Sequence, residues 1–285
     1  MAHAILAYGN RADSATLSGG DWEATLPLTN LQDRRLGRVA RTDGTDSADT
    51  KFDADLGAVR IFRVVSLVGH NGSLTGTYRF RLSNDPTFAT SLADSGVLDI
   101  WPSVYPTEVL DWFAENYWTG QYTDEERSGY TAAMTYVLPT TVAARYLRVE
   151  IDDEDNADGY LQFGRLFISD GWQPVRNMVY GAQIGWTDRT EVQEAISGAE
   201  YFDVRTPARS VQFGLEAMDE DEAMARGFEF QRQIGVSGEC FFIWDPDDTV
   251  HALRRQFLCR PRTLSLIEHP GPNRWRAPYE LKELL

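Results

Sequence analysis

The sequence predicts a mainly β protein in two parts, a jelly-roll β-sandwich followed by a smaller α+β domain of strands and one helix. Short segments in which apolar and polar residues alternate recur through the first part of the 285-residue chain. This alternation is typical of half-buried strands, because successive side chains point to opposite faces of a sheet. Turns rich in Gly and Asn separate these segments, and one strong helix signal lies in the last third of the chain.

The first part, residues 1–172, is interpreted as the sandwich. Several short strands with turn signals between them and no convincing helix are typical of a sandwich or jelly roll. The clearest strand predictions are residues 52–56, 61–68, 78–82, 146–151 and 160–168.

An aromatic and acidic insertion, about residues 101–130, interrupts this pattern. Eight aromatic residues lie in it: Trp101, Tyr105, Trp112, Phe113, Tyr117, Trp118, Tyr122 and Tyr130. Loops of this length in compact domains are usually functional or disordered, and the aromatic content argues against disorder. We therefore expect a long, ordered loop.

The second part, residues 173–285, begins where the strand pattern stops at Trp172. It combines strand-like segments with a helix, which indicates a compact α+β unit. The strand predictions are residues 185–188, 200–204, 210–215, 239–244, 257–260 and 274–281.

The helix is predicted over residues 219–234. Asp219 can cap its first turn, and Glu222 follows three residues later, as in a capping box. Met224, Phe228 and Ile234 fall near one face and are expected to pack on the strands.

Composition disfavours several classes of protein. There are 27 basic and 43 acidic residues, for a net charge of −16, so no surplus of positive charge is present to neutralise phosphates and we expect no nucleic-acid partner. No apolar run is longer than residues 240–244, and this length is far short of the roughly 20 residues needed to span a bilayer. The first residues show no basic region followed by an apolar stretch, so no signal-directed export is expected.

Two cysteines, Cys240 and Cys259, are too few for a disulfide framework. Both lie in apolar segments, and we interpret them as buried thiols. The sequence leaves open whether they pair, because pairing needs geometry that sequence does not supply.

Catalytic motifs are largely missing. The chain contains no GxSxG, HExxH, GxxxxGK[ST] or GxGxxG pattern, and we expect no enzyme. His70 is interpreted as a surface residue of a turn. Asp111 and Glu115, beside Trp112 and Trp118, resemble the two carboxylates and aromatic platforms of a glycoside hydrolase. The favoured alternative is an acidic, aromatic loop that packs on its own domain or on a neighbouring subunit.

An acidic turn offers a candidate metal site, and a second set of spaced acids shares its ambiguity: Asp43, Asp46, Asp49, Asp53 and Asp55. Oxygen ligands for Ca²⁺ could come from Asp152, Asp153, Asp155 and Asp158. The segment lacks the closing Glu of an EF-hand loop. A solvated hairpin turn is the favoured interpretation, and no cofactor is expected.

Two stretches resemble the galactose-binding-like (discoidin-type) jelly roll. Residues 28–33, 38–42 and 52–57 resemble the opening of that fold. Residues 146–168, a strand and an acidic turn followed by GYLQFGRLFI, resemble its closing strands. Folds of this family often bind sugars through loops at one end, although many are purely scaffolding.

The second part resembles the ring-forming domain of distal tail or tail-tip proteins of long-tailed bacteriophages. The matching features are the helix at 219–234, the segment 241–246 and the final strand at 275–281. This resemblance implies a structural protein of the virion, made in the host cytoplasm and assembled as a homo-oligomeric ring at the tail tip. Its implied partners are its own copies, the tail tube, tape-measure and hub proteins, and a host-surface glycan.

Two groups of side chains are the candidate interaction residues. Exposed aromatic residues suit either sugar stacking or a subunit interface, and we favour the interface; the set is Trp101, Trp112, Trp118 and Tyr122. A basic cluster consists of Arg254, Arg255, Arg260 and Arg262. Two interpretations stay open: the cluster meets the acidic region 108–126 or 219–222 of a neighbouring copy, or it forms a solvated strand face. A free carbohydrate-binding module and a glycoside hydrolase remain the alternative functions.

Overall fold

A computed structural model describes residues 2–285. It confirms the expected fold class: the chain is mainly β, with a β-sandwich part and a smaller α+β part. In chain order the strands are β1 (Ile5–Tyr8), β2 (Thr16–Ser18), β3 (Ala40–Arg41), β4 (Phe52–Val68), β5 (Thr77–Ser83), β6 (Ala93–Asp94), β7 (Leu98–Asp99), β8 (Ala133–Asp152), β9 (Gln162–Phe163), β10 (Arg165–Ser169), β11 (Gln183–Thr187), β12 (Glu191–Glu194), β13 (Glu200–Asp203), β14 (Ala208–Met218), β15 (Cys240–Ile243), β16 (Gln256–Thr263), β17 (Glu268–Gly271) and β18 (Arg274–Glu283). The helices are α1 (Asp124–Arg127), α2 (residues 220–234) and α3 (Ala252–Arg255).

The sandwich is built from an antiparallel sheet in the order β10-β4-β8-β5-β6, with β2 on β4 and β7 on β5. A small sheet of β3 and β9 accompanies it. Side chains that alternate along the strands fill the core between them, as a period of two requires. Among the fully buried ones are Phe52, Phe62, Phe80, Leu147 and Phe163.

One long strand replaces two predicted ones. The sequence suggests strands at 52–56 and 61–68 with a turn at Gly57, whereas β4 runs unbroken from Phe52 to Val68. Its register with β8 shifts between Asp55 and Arg60, and Gly57 has a φ of +71°. The pairing resumes after the irregularity, because β4 advances five residues while β8 advances two and the three extra residues bulge out of the ladder.

The second sheet has the order β1-β15-β16-β18-β14-β11, with β17 on β18. Strand β1 comes from the N-terminus, although the sequence places residues 1–172 together in the sandwich. It pairs with β15, and Leu6 exchanges two backbone hydrogen bonds of 2.8 Å with Trp172. The domain boundary at Trp172 stays a prediction, and by strand pairing the first strand belongs to the second sheet.

Helix α2 covers one face of this sheet. As predicted, Asp219 caps it: its carboxylate accepts a hydrogen bond from the Glu222 backbone N–H at 2.7 Å. The predicted buried face is wrong for two of its three residues, since Met224 and Phe228 are exposed. A π-helical turn over Ala223–Phe228 rotates the helix.

Small residues face the sheet where the helix lies closest to it. Ala223 and Gly227 are buried there, together with Phe230 and Ile234. A Cβ atom on Gly227 would lie only 3.3 Å from the Tyr279 hydroxyl. The close approach at Ala223 and Gly227 therefore explains why Met224 and Phe228 turn outward.

The opposite face of the second sheet meets the sandwich. An apolar layer forms between the two parts, and the rings of Phe167 and Phe241 lie 6.0 Å apart in it. The layer covers only the β1, β15 and β16 side of that face. None of the helices in residues 2–285 is long and apolar enough to cross a membrane.

Candidate functional site

The inner part of the aromatic insertion is part of the protein core. Trp101 is buried, donates its indole N–H to the Gly72 carbonyl at 2.9 Å and lies under the Arg127 guanidinium. Tyr122 is also buried, and its hydroxyl donates to the Val250 carbonyl of the second part. The expectation that Trp101 and Tyr122 present rings to a sugar or to a neighbouring subunit is therefore wrong, because their rings serve contacts within the chain.

The basic cluster is largely neutralised within the chain. Arg254 pairs with Glu126 at 3.1 Å and lies over the Tyr122 ring. Glu126 belongs to the acidic region that the sequence assigns to a neighbour, so this pairing is correct in its chemistry and wrong in its partner. The insertion folds back onto α3, which places the two charges side by side.

Two further members of the cluster also have partners in the same chain. Arg255 pairs with Asp248 and Arg262 with Glu280, each at 2.8 Å. Arg260 is exposed, and within residues 2–285 it makes no ion pair. Of the four predicted arginines, Arg260 alone keeps its charge available for another molecule.

The outer part of the insertion forms an exposed aromatic corner, defined here as Trp112, Tyr117 and Trp118. Trp112 is 62% exposed and Trp118 81% exposed. Their rings lie 5.6 Å apart in a T-shaped arrangement, and the Tyr117 ring stands at 90° to that of Trp118. These predicted residues are thus brought together at the surface, where stacking partners can reach them.

The neighbouring carboxylates lack the setting of a catalytic pair. Asp111 and Glu115 are both exposed, and Asp111 accepts a hydrogen bond from the Phe113 backbone at 3.3 Å. A glycosidase acid uses an apolar pocket to hold its proton. The geometry gives these two carboxylates no such pocket.

The acidic turn uses its carboxylates as hydrogen-bond acceptors. Buried Asp153 accepts from the Ser73 backbone and from the Asn156 side chain, each at 2.8 Å. Asp158 accepts from Asn71 at 2.8 Å, whereas Asp152 and Asp155 are exposed. In the described part of the chain no three His, Cys, Asp or Glu residues are grouped to hold a metal ion. The turn is therefore stabilised by its own polar contacts, and the absence of a cofactor stays a prediction.

A cavity of about 200 Å³ lies where the insertion, the sandwich and the second part meet. His70 lines it together with Asp99, Trp101, Tyr122 and Asp248. The His70 Nδ1 accepts from the Gly72 backbone at 3.2 Å, and burial lowers the pKa of His70 to about 4. The sequence predicts a surface histidine here, because its flanking glycines indicate only a turn and nothing local reveals the second part packing over it.

The two cysteines lie directly opposite each other on β15 and β16. Their Sγ atoms are 3.4 Å apart, and both are free, buried thiols. Burial raises the pKa of the Cys259 thiol. The expected buried thiols are therefore cross-strand neighbours.

A protruding hairpin is the feature that sequence reasoning missed. We define the arm as residues 188–207; it carries β12 and β13, which form a two-stranded sheet of their own. All residues of both strands are exposed. Its exposed large apolar side chains are Val192, Ile196, Tyr201, Phe202 and Val204. Alternation in residues 200–204 predicts a strand, but only the structure shows that nothing within residues 2–285 covers it.

Strand β11, which precedes the arm, also has an unpaired edge. Strand β11 pairs with β14 on one side and ends the sheet. Ile184 and Trp186 on this strand are exposed, at 42% and 48%. The arm and β11 both present exposed apolar side chains, and β11 also has an unpaired backbone edge.

Comparisons with known proteins return similar solved structures but no family. No family model matches the chain, and no curated protein matches it. The lectin domain of Lectinolysin complexed with Lewis B antigen is 17% identical, with a TM-score of 0.37, covering 56% of this chain and 95% of that one. A fucose-binding module of Streptococcus pneumoniae is 10% identical, with a TM-score of 0.37, covering 57% and 96%.

A third similar structure is the family 32 carbohydrate-binding module of Clostridium perfringens NanJ in complex with galactose. It is 15% identical, with a TM-score of 0.37, and the match covers 57% of this chain and 98% of that one. What the present chain binds must therefore be argued from its own residues.

Proposed function

We propose that this chain is a structural, non-catalytic subunit that assembles with copies of itself into a ring at the tail tip of a long-tailed bacteriophage. The observation that supports this proposal is the arm. Val192, Tyr201 and Phe202 are each more than half exposed. Soluble monomers rarely display large contiguous apolar patches, and such patches mark surfaces that another molecule covers.

The free edge of β11 supports the same proposal. An unpaired edge presents a row of backbone N–H and C=O groups that can template pairing with another chain. Native proteins usually protect such edges with charges, bulges or a covering loop. Here the exposed side chains next to the edge are Ile184 and Trp186, so we infer that a neighbouring subunit supplies the cover.

The place of the ring follows from the resemblance of residues 219–281 to phage tail-tip proteins. On this proposal the subunit belongs to the virion, contacts the tail tube, tape-measure and hub proteins, and joins the tube to the tip. Its role is mechanical, and the arm links each copy to the next.

Two experiments test the proposal. Size-exclusion chromatography with light scattering should give an oligomer for the whole chain and a monomer for a variant in which residues 189–205 are replaced by a short turn. Antibody labelling of particles from a producing culture should mark the tail tip in electron micrographs. A monomeric whole chain, or particles without the chain, would contradict the proposal.

Carbohydrate recognition is a second candidate function, favoured by the aromatic corner. Sugar rings present apolar C–H faces that stack on exposed Trp and Tyr, and the perpendicular Tyr117 and Trp118 rings offer one platform and one wall. The carboxylates of Asp111 and Glu115 would accept hydrogen bonds from hydroxyl groups. In this role the corner would attach the virion to a host-surface glycan.

A glycan array tests this candidate. Binding should be lost in Trp112→Ala and Trp118→Ala and kept in Tyr180→Ala, a matched control because Tyr180 is a fully exposed aromatic residue outside the insertion. An array without signal, or a signal that all three variants keep, would count against carbohydrate recognition by the corner.

A further inference from the structure

The tip of the arm carries two carboxylates that oppose each other. Glu194 on β12 is the direct cross-strand partner of Glu200 on β13. Both side chains are exposed, and neither forms an ion pair with any residue between 2 and 285. Like charges placed directly opposite across two strands destabilise the pair. The isolated chain therefore holds an unfavourable arrangement at this point.

These carboxylates lie on the apolar face of the arm. In a strand, residues two apart share a face, so Glu194 and Glu200 lie beside the cross-strand pair Val192 and Phe202. The acidic residues of the other face do form ion pairs. There Arg205 pairs with Glu191 at 2.8 Å and with Asp203 at 3.0 Å. Only the face with Val192 and Phe202 keeps its negative charges free.

The second sheet carries the opposite arrangement. Arg260 on β16 is the direct cross-strand partner of Lys282 on β18. Neither has an ion-pair partner within the described chain. The pKa of Lys282 is lowered, first by burial and then by the positive charges of Arg189, Arg262 and Arg260. A second pair of like charges, here basic, thus lies uncompensated in the same molecule.

This basic row lies on an accessible part of the sheet. Lys282 also pairs with Ser210 on β14, which extends the row across three strands. The sandwich covers the same face only at β1, β15 and the start of β16. A groove of about 360 Å³ reaches Gln212 and Glu280, which lie two positions from Ser210 and Lys282 on the same strands. Its apolar lining includes Val179, Ala182, Phe213 and Pro278. Charge and apolar surface therefore adjoin here, as they do on the arm.

The acidic tip of a copy makes no ion pair with its own basic row: within residues 2–285 neither Glu194 nor Glu200 pairs with Arg260 or Lys282, although Arg189 at the base of the arm lies near Lys282. Strands β12 and β13 pair only with each other. A contact between the acidic tip and the basic row therefore has to form between two copies.

We propose that Glu194 and Glu200 of one copy dock against Arg260 and Lys282 of the next, with Val192 and Phe202 directed to the adjoining groove. This inference rests on the proposed assembly into a ring and names its contact. Docking would place each pair of like charges against a pair of the opposite sign. Because the two surfaces differ, the contact is head-to-tail, and repetition closes a ring when the rotation permits.

Charge reversal tests the contact. One variant carries Glu194→Arg with Glu200→Arg, a second carries Arg260→Glu with Lys282→Glu, and a third combines all four substitutions. Sedimentation equilibrium should show association weakened at least about tenfold in the first two variants and regained in the third. Glu154→Arg with Asp155→Arg is the matched control, because both residues are exposed acids of the distant turn, and it should associate like the unaltered chain. Circular dichroism checks that each variant is folded.

The outcomes distinguish a failure of this contact from a failure of the proposed assembly into a ring. If the unaltered chain is a monomer, both fail. If it forms an oligomer that both reversed pairs keep, or that the fourfold variant does not regain while folded, the assembly stands and the Glu194/Glu200 contact is overturned. A Phe202→Ser variant that dissociates while the charge variants stay associated leads to the same conclusion.

Discussion

Arg165 of the sandwich and Glu239 of the second part form a buried ion pair across the junction. The Arg165 Nε donates to the two Glu239 oxygens at 3.1 and 3.2 Å. The side chain of Arg165 is fully buried, and it also donates to Asp13 and to the Leu31 carbonyl. A charge buried in this way must keep its partners, so the pair fixes how the two parts are joined.

Removing Glu239 should destabilise the protein strongly. Glu239→Ala removes one of the two carboxylates that pair with the buried Arg165 and leaves only Asp13. Breaking a buried ion pair in this way typically costs about 3–5 kcal/mol of folding free energy. Urea denaturation measures the loss. Glu229→Ala, which removes the surface partner of Arg232 on α2, is the control and should leave the midpoint almost unchanged. Equal midpoints for the two variants would show that the junction does not depend on the Arg165–Glu239 pair.

The stability of the protein should fall in acid because of His70. The folded state holds this imidazole neutral, since burial lowers its pKa to about 4, whereas the unfolded chain takes up a proton as the pH falls through about 6.5. The unfolded state therefore binds more protons between these values, and stability decreases as the pH drops. At pH 4.5 this amounts to about 2–3 kcal/mol.

Comparison with a variant that lacks only His70 isolates this effect. Urea denaturation at pH 7 and pH 4.5 should show a smaller acid loss for His70→Gln than for the unaltered chain. His251→Gln, at an exposed histidine, should lose as much as the unaltered chain. The same acid loss in all three proteins would mean that the His70 ring reaches water in the folded state.

The two ends of the insertion should respond differently to truncation. Trp101→Ala empties a buried site and removes a hydrogen bond to Gly72, so we expect a loss of about 3–5 kcal/mol. Trp118→Ala changes an exposed side chain and should alter stability by no more than about 0.5 kcal/mol. Thermal and urea denaturation of both variants measure this difference. Comparable losses would indicate that the aromatic corner packs on the protein.

The contact between Arg254 and Glu126 should be measurable within a single chain. A double-mutant cycle with Arg254→Ala and Glu126→Ala should give a coupling of about 0.5–1 kcal/mol, as expected for a partly exposed pair. Light scattering should show that Arg254→Ala leaves the oligomeric state unchanged. Dissociation of the Arg254→Ala variant would show that Arg254 contributes to the interface between copies.

Local patterns were sufficient to predict the elements that depend on local chemistry. The alternation in 146–151 and 210–215 identified strands, and Asp219 with Glu222 located the start of α2. The fold class follows from such segments, because period and turn residues act within a few positions. The buried face of helix α2 could not be predicted in this way. Its π-helical turn and its small residues Ala223 and Gly227 are determined by how closely the helix packs on the sheet.

Long-range packing decided the candidate site, and no local pattern in the sequence carries that information. Trp101 and Trp118 are the same residue type in one insertion, yet one is buried beneath Arg127 and the other is exposed. In the sequence, nothing distinguishes Arg254 from Arg260. Only the folding of the insertion onto α3 gives Arg254 an ion-pair partner, Glu126. Strand β1 joined the second sheet for the same reason, through pairing with a segment more than 200 residues away.

Native mass spectrometry of the unaltered chain, beside the chain whose residues 189–205 are replaced by a short turn, tests the central claim most directly. If the arm joins copies, the unaltered chain gives one closed species with a fixed number of subunits, and the shortened chain gives only the mass of a folded monomer. A monomer for the unaltered chain, or the same closed species for both, would contradict the claim.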